Sequence, residues 1–288
     1  MEKARIGIIG GSGLYEIEGF QHAEEVAVET PFGKPSDKYI IGTLSGKKIA
    51  FLSRHGRGHR VDPSSINYRA NIWGMKQLGV QKIISVSAVG SMKENIAPGM
   101  LVIPDQFIDR TTKRISSFFV NEGIVAHIPF ADPLCKSIIT YLYTASTKVT
   151  KDVQKNGTYL NMEGPQFSTR AESNLYRSWG VDVIGMTNLT EAKLAREAEI
   201  CYGTLALATD YDSWRTSEEG VSVEEIVEVL KQNIKKAKTV IKHVIPLIDE
   251  DAHCSCQESL KYAIMTHPDC IDAQLRDKYT LLIAKYTV

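Results

Sequence analysis

Apolar residues along the chain gather in short runs separated by helix-period segments, and that alternation predicts an α/β domain. Residues 6–9, 48–52, 82–86, 101–103, 182–184 and 201–208 read as strands, and residues 67–78 and 190–200 as helices. The clearest helix begins at Ser222. Ser222 with Glu225 makes a capping box, and Val223, Ile226, Val227, Leu230, Ile234, Ala237 and Ile241 follow as an apolar stripe. Such a helix is scaffold, and its basic run at 235–238 reads as a solvated face. No repeat, low-complexity tract or linker interrupts the chain before about residue 249, where the sequence changes character.

The strand at 201–208 has the most informative ending. Leu205-Ala206-Leu207-Ala208 gives way to Thr209-Asp210-Tyr211-Asp212, and a largely parallel sheet gathers its ligands at the carboxyl ends of strands. On a continuing strand Asp210 and Asp212 share a face, so each raises the other's pKa through repulsion and shared desolvation. A protonated Asp beside an ionised one donates to one ligand atom and accepts from another. Gripping an aminopurine edge or protonating a leaving nitrogen requires that pattern. A solvated turn at a strand end uses the same residues, and the pair alone does not separate the two readings.

Other predicted strands end in comparable chemistry. The first runs into Gly10-Gly11-Ser12-Gly13, where glycines permit positive φ and let backbone N–H groups approach an anion. A dinucleotide-binding turn is the competing reading, but the glycine spacing departs from G-x-G-x-x-G and residues 14–20 do not form the phosphate-facing helix. Arg54 and His55 follow the next strand, a bidentate fork and a neighbouring donor for phosphate, or else part of a solvated basic loop with Arg57, His59 and Arg60. The H-G-R-G-H spacing lacks the nearby carboxylates or thiols of a metal site. Ser85, Ser87, Ala88, Gly90 and Ser91 close a third strand with small residues suited to the same anion or to tight packing.

Composition narrows the partners. Lys+Arg and Asp+Glu are both 34, so no excess of positive charge recommends nucleic acid or an anionic membrane, and any anion must be held by a local site. No signal-like segment or bilayer-length apolar run is present, which predicts a cytoplasmic protein.

Several longer motifs carry a family resemblance. Gly-Gly-Ser-Gly-Leu at 10–14, Thr-Pro-Phe-Gly-Lys-Pro-Ser-Asp at 30–37, Arg-His-Gly-Arg at 54–57 and Asn-Tyr-Arg-Ala-Asn-Ile-Trp at 67–73 resemble 5′-deoxy-5′-methylthioadenosine phosphorylases. So do Ile-Pro-Asp-Gln-Phe-Ile-Asp-Arg-Thr at 103–111, Glu-Gly-Pro-Gln-Phe-Ser-Thr-Arg-Ala-Glu-Ser at 163–173 and Ala-Thr-Asp-Tyr-Asp-Ser-Trp at 208–214. The resemblance implies a single-domain nucleoside phosphorylase fold over residues 1–248, with a mixed central sheet flanked by helices. Residues 249–288 would form a cysteine-containing extension packed on the same domain or on a neighbouring subunit. It further implies a homotrimer or dimer of trimers in purine and methionine salvage. Inorganic phosphate is then the co-substrate, with no metal or organic cofactor.

Carried over by position, the resemblance puts phosphate against Ser12, Arg54, His55, Ser87, the backbone at Ala88, and Thr187. It puts ribose near Met186 and Thr187, and purine near Phe167 and Ser168. Asp210 and Asp212 become the readers of a 6-aminopurine, with Asp210 as proton donor to N7. His127 becomes a residue lent by a neighbouring subunit to the 5′ end of the sugar. Structural roles compete: Met186 and Phe167 as core, Ser168 or Thr169 as a helix cap completed by Glu172. The main alternative substrate is adenosine, or a broad set of 6-amino and 6-oxo purine nucleosides. A non-catalytic binding protein would be expected to lose part of the set Ser12, Arg54, His55 and Thr187, which is complete here.

The five cysteines stand outside this scheme. Cys135 and Cys201 read as small buried residues, and they resemble a pair disulfide-bonded in heat-adapted family members. The tail carries His253, Cys254, Cys256, His267 and Cys270, but C-x-C with H-x-x-C is not a zinc-specific spacing. A C-x-C redox pair, as in some members, is the expectation there, and no metal site is assigned.

Overall fold

The computed structural model describes residues 3–14, 17–215 and 223–287, apart from the side chains of Ser12 and residues 223–226. The capping box expected at Ser222 and Glu225 lies outside the described residues. The buried run Ile6–Gly10 forms β1, followed by β2 (Gln21–Val26), β3 (Tyr39–Leu44) and β4 (Lys47–Ser53). After α1 (Tyr68–Gln77) come β5 (Lys82–Ser91), β6 (Leu101–Ile103), β7 (Gln106–Arg110) and α2 (Lys136–Ser146). The chain continues through β8 (Val153–Lys155), β9 (Thr158–Met162), α3 (Arg170–Ser178), β10 (Val183–Gly185), α4 (Asn188–Glu197), β11 (Cys201–Asp210) and α5 (Val223–Leu247).

Among the described residues these strands make one mixed sheet in the order β2-β3-β4-β1-β5-β10-β9-β7, with β11 on β5 and then β6 and β8. Its centre is parallel: β4, β1, β5 and β11 run in one direction, and their side chains are buried almost throughout. Strands covered on both faces lose alternation and become continuous apolar runs, which is why this centre was visible in the sequence. Helices α2 and α5 pack on each other and on β11, while α4 packs on β11 and α1.

β5 is the organising strand. One edge pairs with β1 over Lys82–Ser85 and with the antiparallel β10 at Gly90–Ser91; the other edge follows β11 along its length. Among the described residues no strand pairs with the first edge between residues 86 and 89. Backbone groups there open toward the strand ends of β1 and β4.

Several expectations need correction. β5 continues to Ser91, beyond the predicted end at residue 86, and α4 starts at Asn188 rather than Thr190. β11 reaches Asp210, but the chain then turns: Asp212 opens a 3₁₀ turn with φ +46°, so the two acids do not share a continuing strand. The predicted stripe of α5 holds at Ala237 and Ile241 but not at its earlier described positions. Val227 is 42% exposed, Leu230 and Ile234 are only partly buried, and the buried face is Asn233, Ala237, Val240, Ile241, Val244 and Ile245. Packing on α2 and β11 selects that face over the one the sequence moment favours.

Residues beyond 249 lie against the rest of the chain. Tyr279 is fully buried and donates to the Phe118 carbonyl at 2.9 Å, Lys285 pairs with Glu199 at 2.7 Å, and Ala126 forms a β-bridge with Ile264. No helix among the described residues is long and apolar enough to cross a membrane.

Candidate active site

The carboxyl ends of β1, β4, β5 and β11 lie side by side because the strands are parallel and in register. Arg54 N–H donates to the Gly10 carbonyl at 3.0 Å, which joins the end of β4 to the glycine turn after β1. Residues 12–14 there form a short 3₁₀ turn. From the other side β10 runs antiparallel to β5, and continuing its register carries Met186 and Thr187 back alongside Ala88 and Ser87. Ala88 is exposed, on the stretch of β5 that pairs with β11 alone.

A buried polar network lies beneath these hydroxyls. Ser87 Oγ meets Tyr159 Oη at 3.5 Å, Tyr159 donates to Asn188 Oδ1 at 3.3 Å, and Thr187 Oγ1 donates to the same oxygen at 3.2 Å. Asn188 in turn donates to Ser85 Oγ at 3.1 Å and to Thr204 Oγ1 at 2.9 Å. Starting α4 at Asn188 makes Thr187 the N-cap residue, with its hydroxyl turned to Asn188. The positive end of the helix dipole therefore lies under the hydroxyl set, as in helix-terminal anion sites.

Arg54 differs from expectation. Its fork faces Glu191, through Nε to Oε1 and through Nη2 to Oε2 at 3.0 Å, and Nη1 donates to the Val86 carbonyl at 3.0 Å. Nη2 also reaches Ser85 Oγ at 2.5 Å, and Tyr202 donates to Glu191 Oε2 at 2.7 Å. Among the described bonds one Nη1 hydrogen is left over. Arg54 is 2% exposed and Glu191 0%, so the pair is buried and nearly neutral as a unit. Burial alone would discourage the guanidinium charge, and the Glu191 carboxylate holds it firmly on.

His55 is neutral by design of its surroundings. Burial, then the Arg54 cation, push its pKa down to about 4. Its Nδ1 lies 2.8 Å from the Val61 carbonyl, so the proton belongs on Nδ1 and Nε2 is left as an acceptor. A neutral His with a free acceptor suits the O–H of a monohydrogen phosphate better than a bare oxygen. The ring stacks on His59 with centroids 4.2 Å apart.

The acids meet across the turn rather than along a strand. Asp212 N–H donates to Asp210 Oδ1 at 2.8 Å, and Thr209 Oγ1 donates to Asp210 Oδ2 at 2.6 Å. Burial raises the Asp210 pKa; the Thr209 and Asp212 donors oppose it and the Asp212 charge adds to it. Asp212 Oδ2 accepts from Ser168 Oγ at 2.6 Å and from Ser173 Oγ. Ser213 Oγ donates to the Ser168 carbonyl at 2.7 Å, so the Phe167–Ser168 segment is fastened to the acid turn. Trp214 pins that turn by donating to the Ser91 carbonyl at 2.8 Å, with the Arg177 guanidinium 3.6 Å above its ring. Asn233 of α5 holds the end of β11 through the Ala208 carbonyl at 2.8 Å.

Thr169 caps α3 with Glu172 completing the box, and Ser168 is left to Asp212. Phe167 is 78% exposed and is not core. Met186 is held by Arg114, which donates to the Met186 carbonyl, to Tyr68 Oη at 3.1 Å and to the Glu163 carboxylate at 3.2 Å. Burial would raise Glu163, but the Ser64 hydroxyl, the Thr112 and Lys113 amides and Arg114 outweigh it and leave its pKa at about 2. His127 is exposed, and its N–H donates to the Ala263 carbonyl at 2.8 Å, on the segment bridged to the tail. Sequence reasoning missed Glu191, Asn188 and Tyr159, single polar residues in otherwise ordinary helix or strand patterns, and Arg114, which lies in the loop after β7. Only the buried charge of Glu191 within an apolar helix face offered a signal.

Residues 5–246 match the model of the phosphorylase superfamily, which gives the class to which this fold and strand-end site belong. The S-methyl-5′-thioadenosine phosphorylase of Geobacter sulfurreducens is 57% identical over 98% of both chains. A crystal structure of a methylthioadenosine phosphorylase from an Antarctic soil metagenomic library is 46% identical, with a TM-score of 0.93 over 98% of this chain and 99% of the other. A mutant adenosine/methylthioadenosine phosphorylase from Schistosoma mansoni, solved with methylthioadenosine, is 33% identical, with a TM-score of 0.81 over 90% of this chain and 96% of the other. The chain belongs to the S-methyl-5′-thioadenosine phosphorylase family.

Proposed function

We infer that this protein splits 5′-deoxy-5′-methylthioadenosine with inorganic phosphate, giving adenine and 5-methylthioribose 1-phosphate. The observation that carries the reading is the Asp210–Asp212 pair, one acid with a raised pKa, fixed beside a hydroxyl-lined basin at the ends of β1, β4 and β5. Phosphate attacks C1′ as the purine leaves with growing negative charge on its imidazole ring, and stabilising that charge is the chemical problem. Asp210 supplies the proton to N7, and Asp212 accepts from the exocyclic amine. Ser12, Ser87, Thr187, the Ala88 amide and the spare Nη1 hydrogen of Arg54 bind the phosphate, and His55 Nε2 accepts a hydrogen bond from its O–H. Met186 and Phe167 flank the nucleoside.

The active form is a homotrimer, or a dimer of trimers, in the cytoplasm. Around exposed His127 lie Val125, Tyr262 and Met265, 50%, 85% and 57% exposed, an apolar patch suited to cover by a neighbouring copy. His127 then closes the 5′ end of the nucleoside in the next subunit. Residues 1–248 carry the reaction, and 249–288 brace the His127 segment.

The test is adenine release from methylthioadenosine, with adenosine and inosine in parallel, each with and without inorganic phosphate. Phosphate-dependent cleavage that favours methylthioadenosine supports the reading. Strong inosine turnover would sink the acids as 6-amino readers, and release without phosphate would make the enzyme a hydrolase.

A further inference from the structure

Four of the five cysteines meet at one point. The Sγ atoms of Cys135, Cys201, Cys254 and Cys256 all lie within 4.8 Å of one another, with Cys135 and Cys254 3.7 Å apart. Zinc–thiolate bonds of about 2.3 Å in a tetrahedron set neighbouring sulfurs roughly 3.8 Å apart. A disulfide would draw two of them to about 2.05 Å, and all five cysteines are free. We propose that these four thiols bind one structural zinc ion as a tetrathiolate.

The ligands come from three separate places. Cys135 is the N-cap residue of α2, where the helix dipole favours a thiolate. Cys201 opens β11, and its N–H is taken by the Gln81 carbonyl at 2.9 Å. Cys254 and Cys256 are the C-x-C of the tail, in a turn fixed by the Gln257 N–H donating to the Cys254 carbonyl at 2.9 Å and by the Cys254 N–H donating to Gln257 Oε1 at 3.1 Å. Lys82, in register with Cys201, is buried at 2% exposure, and its ammonium donates to the carbonyls of Glu250 and Ala252, just before Cys254. Those bonds tie the chain that leads into the C-x-C to the start of β5.

Soft sulfur donors in a closed, four-ligand cluster suit zinc held for structure, with no open position for substrate. Cys201 and Asp210 are the two ends of one strand of 10 residues, about 30 Å apart at ~3.3 Å per residue, so the ion has no part in the reaction. Its effect is to staple the tail to α2 and to the base of β11, making ion binding part of the folding free energy. The tail ligands weighed from the sequence divide accordingly: Cys254 and Cys256 join the cluster, whereas His267 and Cys270 are exposed and outside it.

The experiment is metal analysis of the full-length protein purified without chelator, with native and denatured thiol titration and cobalt(II) exchange. The expected result is one zinc per chain, released by a mercurial reagent as four thiols react. Cobalt-loaded protein should show the sulfur-to-metal charge-transfer bands of a tetrathiolate. Cys254→Ser with Cys256→Ser should abolish the metal, and Cys270→Ser should keep it in full; should the double variant fail to fold, the cobalt spectrum of the unaltered protein decides. Metal-free protein with two disulfides by mass spectrometry, metal-free protein with four reactive thiols, or bound iron would each overturn the proposal.

Discussion

Replacing Glu191 by Gln tests whether the phosphate side of the site rests on a buried charge pair. Glu191 accepts from Arg54 Nε and Nη2, from Ser85 at 3.1 Å and from Tyr202 at 2.7 Å. An amide has one acceptor oxygen, so either orientation turns an NH2 group toward at least one of these donors and removes the charge opposite Arg54. Breaking a buried ion pair from one side costs about 3–5 kcal/mol. At ~2.1 cal/mol/K per residue, a chain of 288 residues loses about 5–8 °C of melting temperature. The uncompensated guanidinium then lies next to the anion basin, so phosphate should stabilise the variant more than the parent. Thermal melts of both proteins across a phosphate series read the two effects together. A melting-temperature loss of less than about 2 °C, or equal stabilisation by phosphate in the two proteins, would refute the reasoning.

Three further outcomes are expected. Asp210→Asn should lower kcat on methylthioadenosine about 10²–10³-fold with KM nearly unchanged, and equal losses in binding and turnover would remove the proton-donor role; because the acid must carry its proton, kcat of the parent should fall as pH rises past the elevated pKa. Gly185→Ala would set a Cβ 1.9 Å from Tyr159 Oη, so the hydroxyl must leave Ser87 and Asn188, and phosphate KM should rise at least about tenfold, read by initial rates at saturating nucleoside. His55 has a folded-state pKa near 4 against 6.5 ordinarily, so its contribution to stability is present above pH 6.5 and is lost as pH falls toward 4; urea midpoints over that window should fall more for the parent than for His55→Gln, and parallel curves would contradict it.

The centre of the sheet was legible because strands buried on both faces declare themselves as apolar runs. The edge strands were not. β2 carries Gln21, His22, Glu24 and Glu25 and is exposed almost throughout, β7 at the far edge has no buried residue, and β8 is only three residues long. The site was half legible for a related reason. Asp210 and Arg54 were candidates from strand endings and motifs and Thr187 from the family resemblance, but what each one faces depends on residues distant in the chain. Arg54 meets Glu191, and Asp212 meets Ser168 and Ser173. The thiol cluster shows the same limit, since spacing within the tail does not disclose Cys135 and Cys201 as partners.

Both halves of the proposed reaction are mounted on one strand. Ser87 of β5 would serve the anion side of that reaction, and Gly90 faces the acids, where an added Cβ would stand 3.2 Å from Asp210 Oδ1 and from Asp212 Cβ. At ~3.3 Å per residue the step from Ser87 to Gly90 is about 10 Å, set by covalent geometry and held at both ends by pairing with β11, which carries one extra residue, Thr209, opposite that step. The strand thus acts as a fixed ruler between nucleophile and leaving group. Evolution toward a different sugar or base can reshape the loop at 167–168 or the crossing at 186–187, but the spacing of Ser87 and Gly90 is not adjustable without rebuilding the middle of the sheet.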